Sequence, residues 1–396
     1  MSFFGEVAEI LLTTISLLAA LLVGVLLAQV LLALLPTRAT LVSGRRPRVG
    51  ILVPAHNESS GILPTLAQAR AQMEPGDRLL VVADNCSDDT AAVARVAGAE
   101  VSERSDLQHR GKGYALAHGV LWFESDPPEV VVILDADCEL GTGCIDRIAC
   151  LSMATGQPVQ ALYLMKAAGP GLKQRIAEFA MRMKNLVRPR GMHRLGLPCG
   201  LTGTGMALPW QVAKSAPLAS GHLVEDMQLG IALAAQGTPP LFCESALVSS
   251  LFPANTEGEA SQRRRWEHGH LALILGIAPK FLLQGLRARS LAMTAMALDL
   301  MVPPLTLLTV LLLVSITVST LGWWATGSVL PLQISSTALV ALLLAIFIAR
   351  SRFAADILAI GDLFRVPIYV FGKIHLYLEF ITRREHQWIR TKRDPP

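Results

Sequence analysis

Val-Val-Val-Ile-Leu-Asp-Ala-Asp, residues 130–137, decides the fold. Five apolar residues in a row, four of them β-branched, read as a strand buried on both faces. Such a strand belongs to a parallel sheet covered by helices, and sheets of that kind bind ligands beyond the carboxyl ends of their strands. Asp135 and Asp137 stand at that rim. A turn just past the strand lets both carboxylates meet one ion. Two hard oxygens suit Mg2+ or Mn2+, which keep open positions for a diphosphate. The plainer alternative is a polar strand end.

Upstream, residues 48–140 keep the same rhythm. Strand patterns at 49–53, 79–83 and 130–134 alternate with helical patterns at 62–73, 88–97 and 114–123, which argues for a parallel sheet with covering helices. Asp88 or Asp89 can cap the second of these helices, and Gly98 stops it. Beyond residue 140 the pattern loosens into helices at 172–187, 223–235 and 271–286, the last apolar enough to lie in a membrane interface. No internal repeat or low-complexity segment is present.

The 396 residues are 52% hydrophobic and 17% charged, with a mean hydropathy of +0.45. That excludes an ordinary soluble enzyme and an all-membrane transporter alike. The excess is concentrated at the ends. Residues 10–35 contain no charge, and about 20 helical residues suffice to cross a ~30 Å hydrocarbon core. Glu6 and Glu9 ahead of the run, and its length, disfavour a signal peptide. Arg38, Arg45, Arg46 and Arg48 follow it and set the next domain in the cytoplasm. Two further spans are expected at 301–321, with Pro303-Pro304 kinking the entrance, and at 329–349. The short link with Trp323-Trp324 makes them a hairpin. The net charge of +4 is modest. The basic tail (Arg383, Arg384, Arg390, Lys392, Arg393) suits anionic lipid, and nothing indicates nucleic acid. The six cysteines lack a CxxC pair and read as reduced, structural thiols.

Other motifs are ambiguous singly. Pro54-Ala-His-Asn-Glu58 leaves the first strand, as a ribose or base contact or as a solvated turn. Asp84 can accept from a base imide or form an Asx turn with Asn85. Gly111-Lys112-Gly113 opens a helix whose N–H groups and dipole favour phosphate, though it lacks P-loop spacing. Glu225-Asp226 begins a helix, where a carboxylate complements the dipole or serves as a base. Gln262-Arg-Arg-Arg-Trp266 offers a sugar platform at Trp266 and a diphosphate fork at Arg265, or a membrane-edge anchor.

Taken in order, these motifs resemble the membrane-bound members of glycosyltransferase family 2, which have the GT-A fold: cellulose, hyaluronan and poly-N-acetylglucosamine synthases and ceramide glucosyltransferase. The resemblance covers about residues 48–290. It implies that Pro54, Ala55, Asn57, Glu58, Asp84 and Lys112 contact a UDP-sugar, that Asp135 and Asp137 hold the metal and diphosphate, and that Asp226 is the general base beside Glu225. It places Gln262, Arg265 and Trp266 near acceptor and diphosphate, and Thr204, within residues 199–205, in an acceptor-proximal loop. Trp388-Ile-Arg-Thr391 faintly resembles the gating segment of processive synthases. Val224 departs from the family's usual Thr before Glu-Asp.

The expectation is therefore an α/β, Rossmann-like GT-A cytoplasmic domain with α-helical transmembrane and interfacial segments. Residues 1–40 form a first span, 41–290 the catalytic domain with an interfacial helix, 291–352 two spans, and 353–396 interfacial helices and a basic tail. The function expected is inverting, metal-dependent transfer of a sugar to a lipid-linked or polysaccharide acceptor at a bacterial inner membrane, in exopolysaccharide or glycolipid synthesis. Alternatives are a processive synthase that extrudes its polymer, helped by a homo-oligomer, a nucleotidyltransferase that makes the sugar nucleotide, and a non-catalytic scaffold.

Overall fold

A computed structural model describes residues 3–36, 45–253 and 256–382. Arg38, the basic residues from Arg383 onward and the 388–391 segment lie outside the described residues. The centre is one eight-stranded sheet. Its strands are β1 (Val49–Ala55), β2 (Arg78–Asp84), β3 (Glu100–Arg104), β4 (Val130–Ile133), β5 (Glu139–Leu140), β6 (Val159–Lys166), β7 (Met206–Pro209) and β8 (Leu241–Leu251). They lie in the order β3-β2-β1-β4-β7-β6-β8-β5. β3, β2, β1 and β4 are parallel, as the alternating pattern requires. β7 then enters antiparallel between β4 and β6, so the whole sheet is mixed.

The continuous apolar runs are explained by two cores. Ile51, Val53, Val81 and Val132 face one side with Ile62, Leu66, Ile145 and Ile148. Leu52, Leu80, Val82, Val131 and Ile133 face the other with Leu116, Val120 and Phe123. Each such fully buried side chain contributes roughly 1.5–3 kcal/mol. The helices thus cover both faces and leave open only the rim where Ala55, Asp84 and Asp135 emerge.

Among the described residues three helices are long and apolar enough to cross a membrane: Phe3–Ala33, Leu305–Thr326 and Leu330–Phe353. They pack on one another, with hydroxyls of Ser16, Ser315 and Ser335 joined in their interior at 2.8–2.9 Å. Small polar residues of this kind let membrane helices approach closely. The second helix starts after Pro303-Pro304 rather than carrying a kink within it.

Two helical expectations are corrected. Residues 271–286 do not form one helix: Thr256–Gly276 ends before Ile277, and Ala278–Arg287 restarts with Pro279 in its first turn, bent by 44°. The helix at 172–187 is α only to Arg182; Met183–Val187 is a π turn, and an α-helix resumes over Arg188–Arg194. Toward the C-terminus two short helices follow, Val366–Gly372 and Ile374–Thr382.

The helix Arg188–Arg194 docks on the first apolar helix. Gly191 lies so close to it that an added Cβ would stand 2.1 Å from the Gln29 carbonyl oxygen. Arg190 donates to the Ala33 carbonyl at 2.8 Å and Arg194 to that of Leu35 at 3.1 Å, satisfying carbonyls at the helix end. Gln29 and Arg188 both bond Asp299, at 2.7 and 3.0 Å. Arg45, Arg46 and Arg48 are ion-paired with Glu129, with Asp77 and Asp146, and with Asp126 of the central domain.

Candidate active site

The strand ends open into one cleft of about 710 Å³. Its lining includes Pro54 to Glu58, Asp84, Lys112, Asp135, Asp137, Glu225, Asp226, Gln262, Arg265 and Trp266. The expected site residues, scattered over more than two hundred positions, therefore share one space, except Thr204.

At one end, the β1 loop is tied to the loop after β2. Asn57, in a left-handed conformation (φ 55°), accepts from the Ser87 N–H at 2.7 Å, and the Glu58 N–H donates to Thr90 Oγ1 at 2.8 Å. His56 Nδ1 lies 2.7 Å from the Asp84 carbonyl oxygen. Asp84 is nearly buried, and its Oδ1 accepts from Arg104 Nη1 at 2.6 Å and Asn85 Nδ2 at 3.1 Å. Arg104 was missed by reading the sequence. The parallel register pairs it with Asp84, so the last residue of the next strand was the signal available.

The floor is a knot of charge. Gly111 takes φ 129°, which glycine tolerates, and Lys112 begins the helix Lys112–Phe123. The Lys112 ammonium pairs with Asp135 and donates to the Gly203 carbonyl at 2.7 Å. Gly203 (φ 89°) sits on this knot, where a Cβ would come 3.3 Å from both Asp226 Oδ2 and Lys112 Nζ. Asp226, in the first turn of Glu225–Ala235, also accepts the Met227 N–H at 2.8 Å. Glu225 and Asp226 keep some surface open to the cleft but are enclosed by protein. Burial, then the neighbouring Asp226 charge, raises the Glu225 pKa to about 7. Burial likewise raises Asp226 above the usual carboxylate range, against the pull of Lys184 and Lys112. Burial alone would lower Lys112; the charges of Asp135, Glu225 and Asp226 outweigh it and hold the ammonium above its ordinary value.

Thr204 departs from expectation. It is fully buried behind the cleft, and its hydroxyl accepts the Asp135 N–H at 3.0 Å while its carbonyl accepts from Gln160 at 2.9 Å. It fixes the Asp135 backbone, and Thr202 takes the lining position. Lys184 is a second residue that sequence reading missed. The π turn brings it to the cleft wall, 4.0 Å from Met227 Sδ. Burial lowers its pKa. π turns interrupt helices where function needs a side chain redirected.

Gln262, Arg265 and Trp266 share one face of Thr256–Gly276 by their i, i+3, i+4 spacing, and that face lines the cleft. The other two arginines of the box turn away: Arg263 pairs with Glu259 and Arg264 with Glu379 at 3.2 Å. Among the described residues no group of three or more His, Cys, Asp or Glu side chains could hold a metal alone. Asp135 and Asp137 supply two hard oxygens at an open cleft, the donor set of a cation completed by water and phosphate.

This architecture is that of a GT-A transferase domain carried by apolar helices. Residues 47–269, more than half of the chain, match the family described as Glycosyltransferase like family 2, and the chain belongs to that family. Among solved structures it is similar to the mannosyltransferase PcManGT from Pyrobaculum calidifontis in complex with GDP-Man and Mn2+. The identity is 17% and the TM-score 0.54, over 94% of this chain and 100% of that one. It also matches glucosyl-3-phosphoglycerate synthase from Mycobacterium tuberculosis in complex with Mn2+, UDP and phosphoglyceric acid. There the identity is 19% and the TM-score 0.40, over 57% of this chain and 78% of that one. No curated protein matches.

Proposed function

We propose that the protein is an inverting glycosyltransferase at the cytoplasmic face of a bacterial inner membrane, moving a sugar from a UDP-sugar to a lipid-linked or carbohydrate hydroxyl. The observation that carries this reading is the convergence of Asp84, Lys112, Asp135, Asp137, Asp226 and Trp266 on one 710 Å³ cleft. The mannosyltransferase complex with GDP-Man and Mn2+, a likeness of fold, is consistent with a sugar-nucleotide donor and a divalent cation.

In this reading the uracil imide donates to Asp84, whose orientation Arg104 fixes, while Pro54 to Glu58 bound the nucleoside. Lys112 and the N–H groups opening its helix neutralise the diphosphate. Asp135 and Asp137 would hold Mg2+ or Mn2+, which when bound supplies positive charge opposite the leaving diphosphate. Trp266 gives the sugar or acceptor ring a flat face, and Gln262 and Arg265 bond its rim or the diphosphate. Asp226 accepts the proton of the acceptor hydroxyl as that oxygen attacks the anomeric carbon. The bond from that carbon to the diphosphate oxygen breaks, and its electron pair leaves with UDP. One displacement inverts the centre and needs one base, unlike retaining hydrolysis with two carboxylates.

The test is incubation of the full chain, purified in detergent, with radiolabelled UDP-sugars, Mn2+ and native lipid extract. Asp226→Asn should lower transfer ~10²–10⁴-fold with UDP binding intact. Near-normal turnover would reject the base assignment. Pyrophosphate release from a nucleoside triphosphate and a sugar phosphate would reject glycosyl transfer itself.

A further inference from the structure

A second cavity, about 170 Å³, adjoins the cleft and shares four of its walls: Met181, Lys184, Gln262 and Trp266. Its other sides combine charged groups with apolar side chains from three directions: Phe179, Ala180 and Met183 from the catalytic domain, Pro304 from the entrance of an apolar helix, and Val366 and Val370 from the C-terminal helices. The cavity therefore lies where the catalytic domain meets the membrane spans, and it communicates with the donor cleft past Trp266.

Its charges are unequal. Arg263 pairs with Glu259, Lys373 with Glu267, and Arg188 with Asp299. Lys184, at the junction, is in no ion pair among the described residues; its ammonium is 4.0 Å from the Met227 sulfur. The Asp226 charge acts on Lys184 from the cleft side; on the cavity side, where the neighbouring cations are already matched, the ammonium can take an anion from outside.

We propose that this cavity receives the apolar chain of the acceptor, a single-chain amphiphile whose anionic head group is held by Lys184 so that its hydroxyl meets Asp226. The proposal rests on reading the larger cleft as the donor site. The apolar part would leave water for the protein, and the head group would enter past Trp266 from the membrane side. Such an acceptor is fixed at both ends: by its chain in the spans and by its anion at the π turn. A soluble sugar would use neither contact. The small volume admits only the part of one chain nearest the head, so the remainder stays in the bilayer.

The test uses the full chain in nanodiscs of zwitterionic lipid and a dodecyl phosphate bearing a photoactivatable diazirine. Labelled peptides are mapped by mass spectrometry, with dodecyl phosphate, dodecanoate and dodecanol as competitors. Labelling is expected on the segments 176–184 and 363–373. The better anion should compete ~10-fold more strongly than the alcohol, the size of one charge-assisted contact. The two anions separate a phosphate head from a carboxylate. Ala180→Trp and Val366→Trp, on opposite walls, should each abolish labelling while binding of tritiated UDP with Mn2+ persists. Lys184→Met should erase the preference for anions but keep the label. Equal competition by dodecanol in the unaltered chain would overturn the proposal. So would labelling that survives both tryptophan variants, or an anion preference that survives Lys184→Met. Absence of UDP binding in the unaltered chain would count against the donor reading instead, and the labelling would still judge the cavity.

Discussion

Lys112 and Asp135 form an ion pair on the floor of the cleft, with the Gly203 carbonyl as the lysine's second partner at 2.7 Å. The pair means that a divalent cation approaching Asp135 meets a resident positive charge. Lys112→Met should therefore tighten Mn2+ binding severalfold without nucleotide and weaken UDP binding with the metal present. Calorimetric titration of each ligand checks both signs. Weaker Mn2+ binding in the variant would show that Lys112 assists the cation site.

Acid should stop transfer earlier than an ordinary carboxylate predicts. Asp226 must be ionised to take a proton, and burial raises its pKa along with that of Glu225, which reaches about 7. Lys112 and Lys184 oppose the shift, and Asp135 adds to it. The kcat/KM profile should fall as pH drops through the pair's range, and Lys184→Met should move that limb to higher pH. An unmoved limb near the usual carboxylate pKa would contradict this. By linkage, the stability contributed by protonated Glu225 is full below the unfolded carboxylate pKa and is lost as pH rises through about 7.

Thr204→Val should act through stability before it acts on substrate. It leaves the Asp135 N–H without its partner, at a cost of about 1–3 kcal/mol. A lowered melting temperature, restored by Thr204→Ser, is expected. A changed acceptor KM with an unchanged melting temperature would return Thr204 to the cleft wall.

Arg104→Leu should weaken UDP binding ~10-fold by freeing a nearly buried carboxylate from its guanidinium. Arg104→Lys should recover part of it. Unaltered UDP affinity in the leucine variant would remove Asp84 from the nucleotide site.

Much of this was legible in the chain because local signals sufficed. The runs before Asp84 and Asp135 feed two cores at once, so they lack alternation and read as buried strands. The Gln262, Arg265 and Trp266 face follows from helical spacing alone. What stayed hidden depends on distant partners. β7 is four residues long and enters antiparallel only because β4 and β6 flank it. Arg104 matters through the register of the neighbouring strand. Lys184 reaches the cleft through a π turn that no spacing rule announces, and Thr204 lies in the bend between Gly203 and Gly205, buried behind the surface that Thr202 lines.

The seam between the first apolar helix and the helix Arg188–Arg194 has a last consequence. Gly191 lets the two backbones touch, and Arg190 and Arg194 grip the carbonyls of Ala33 and Leu35. The first apolar helix is thus a bolted footing rather than a leash. With the apolar helices in a bilayer, as proposed, the height of the cleft above it would be preset, and acceptors would be sorted by whether their head groups reach that fixed height.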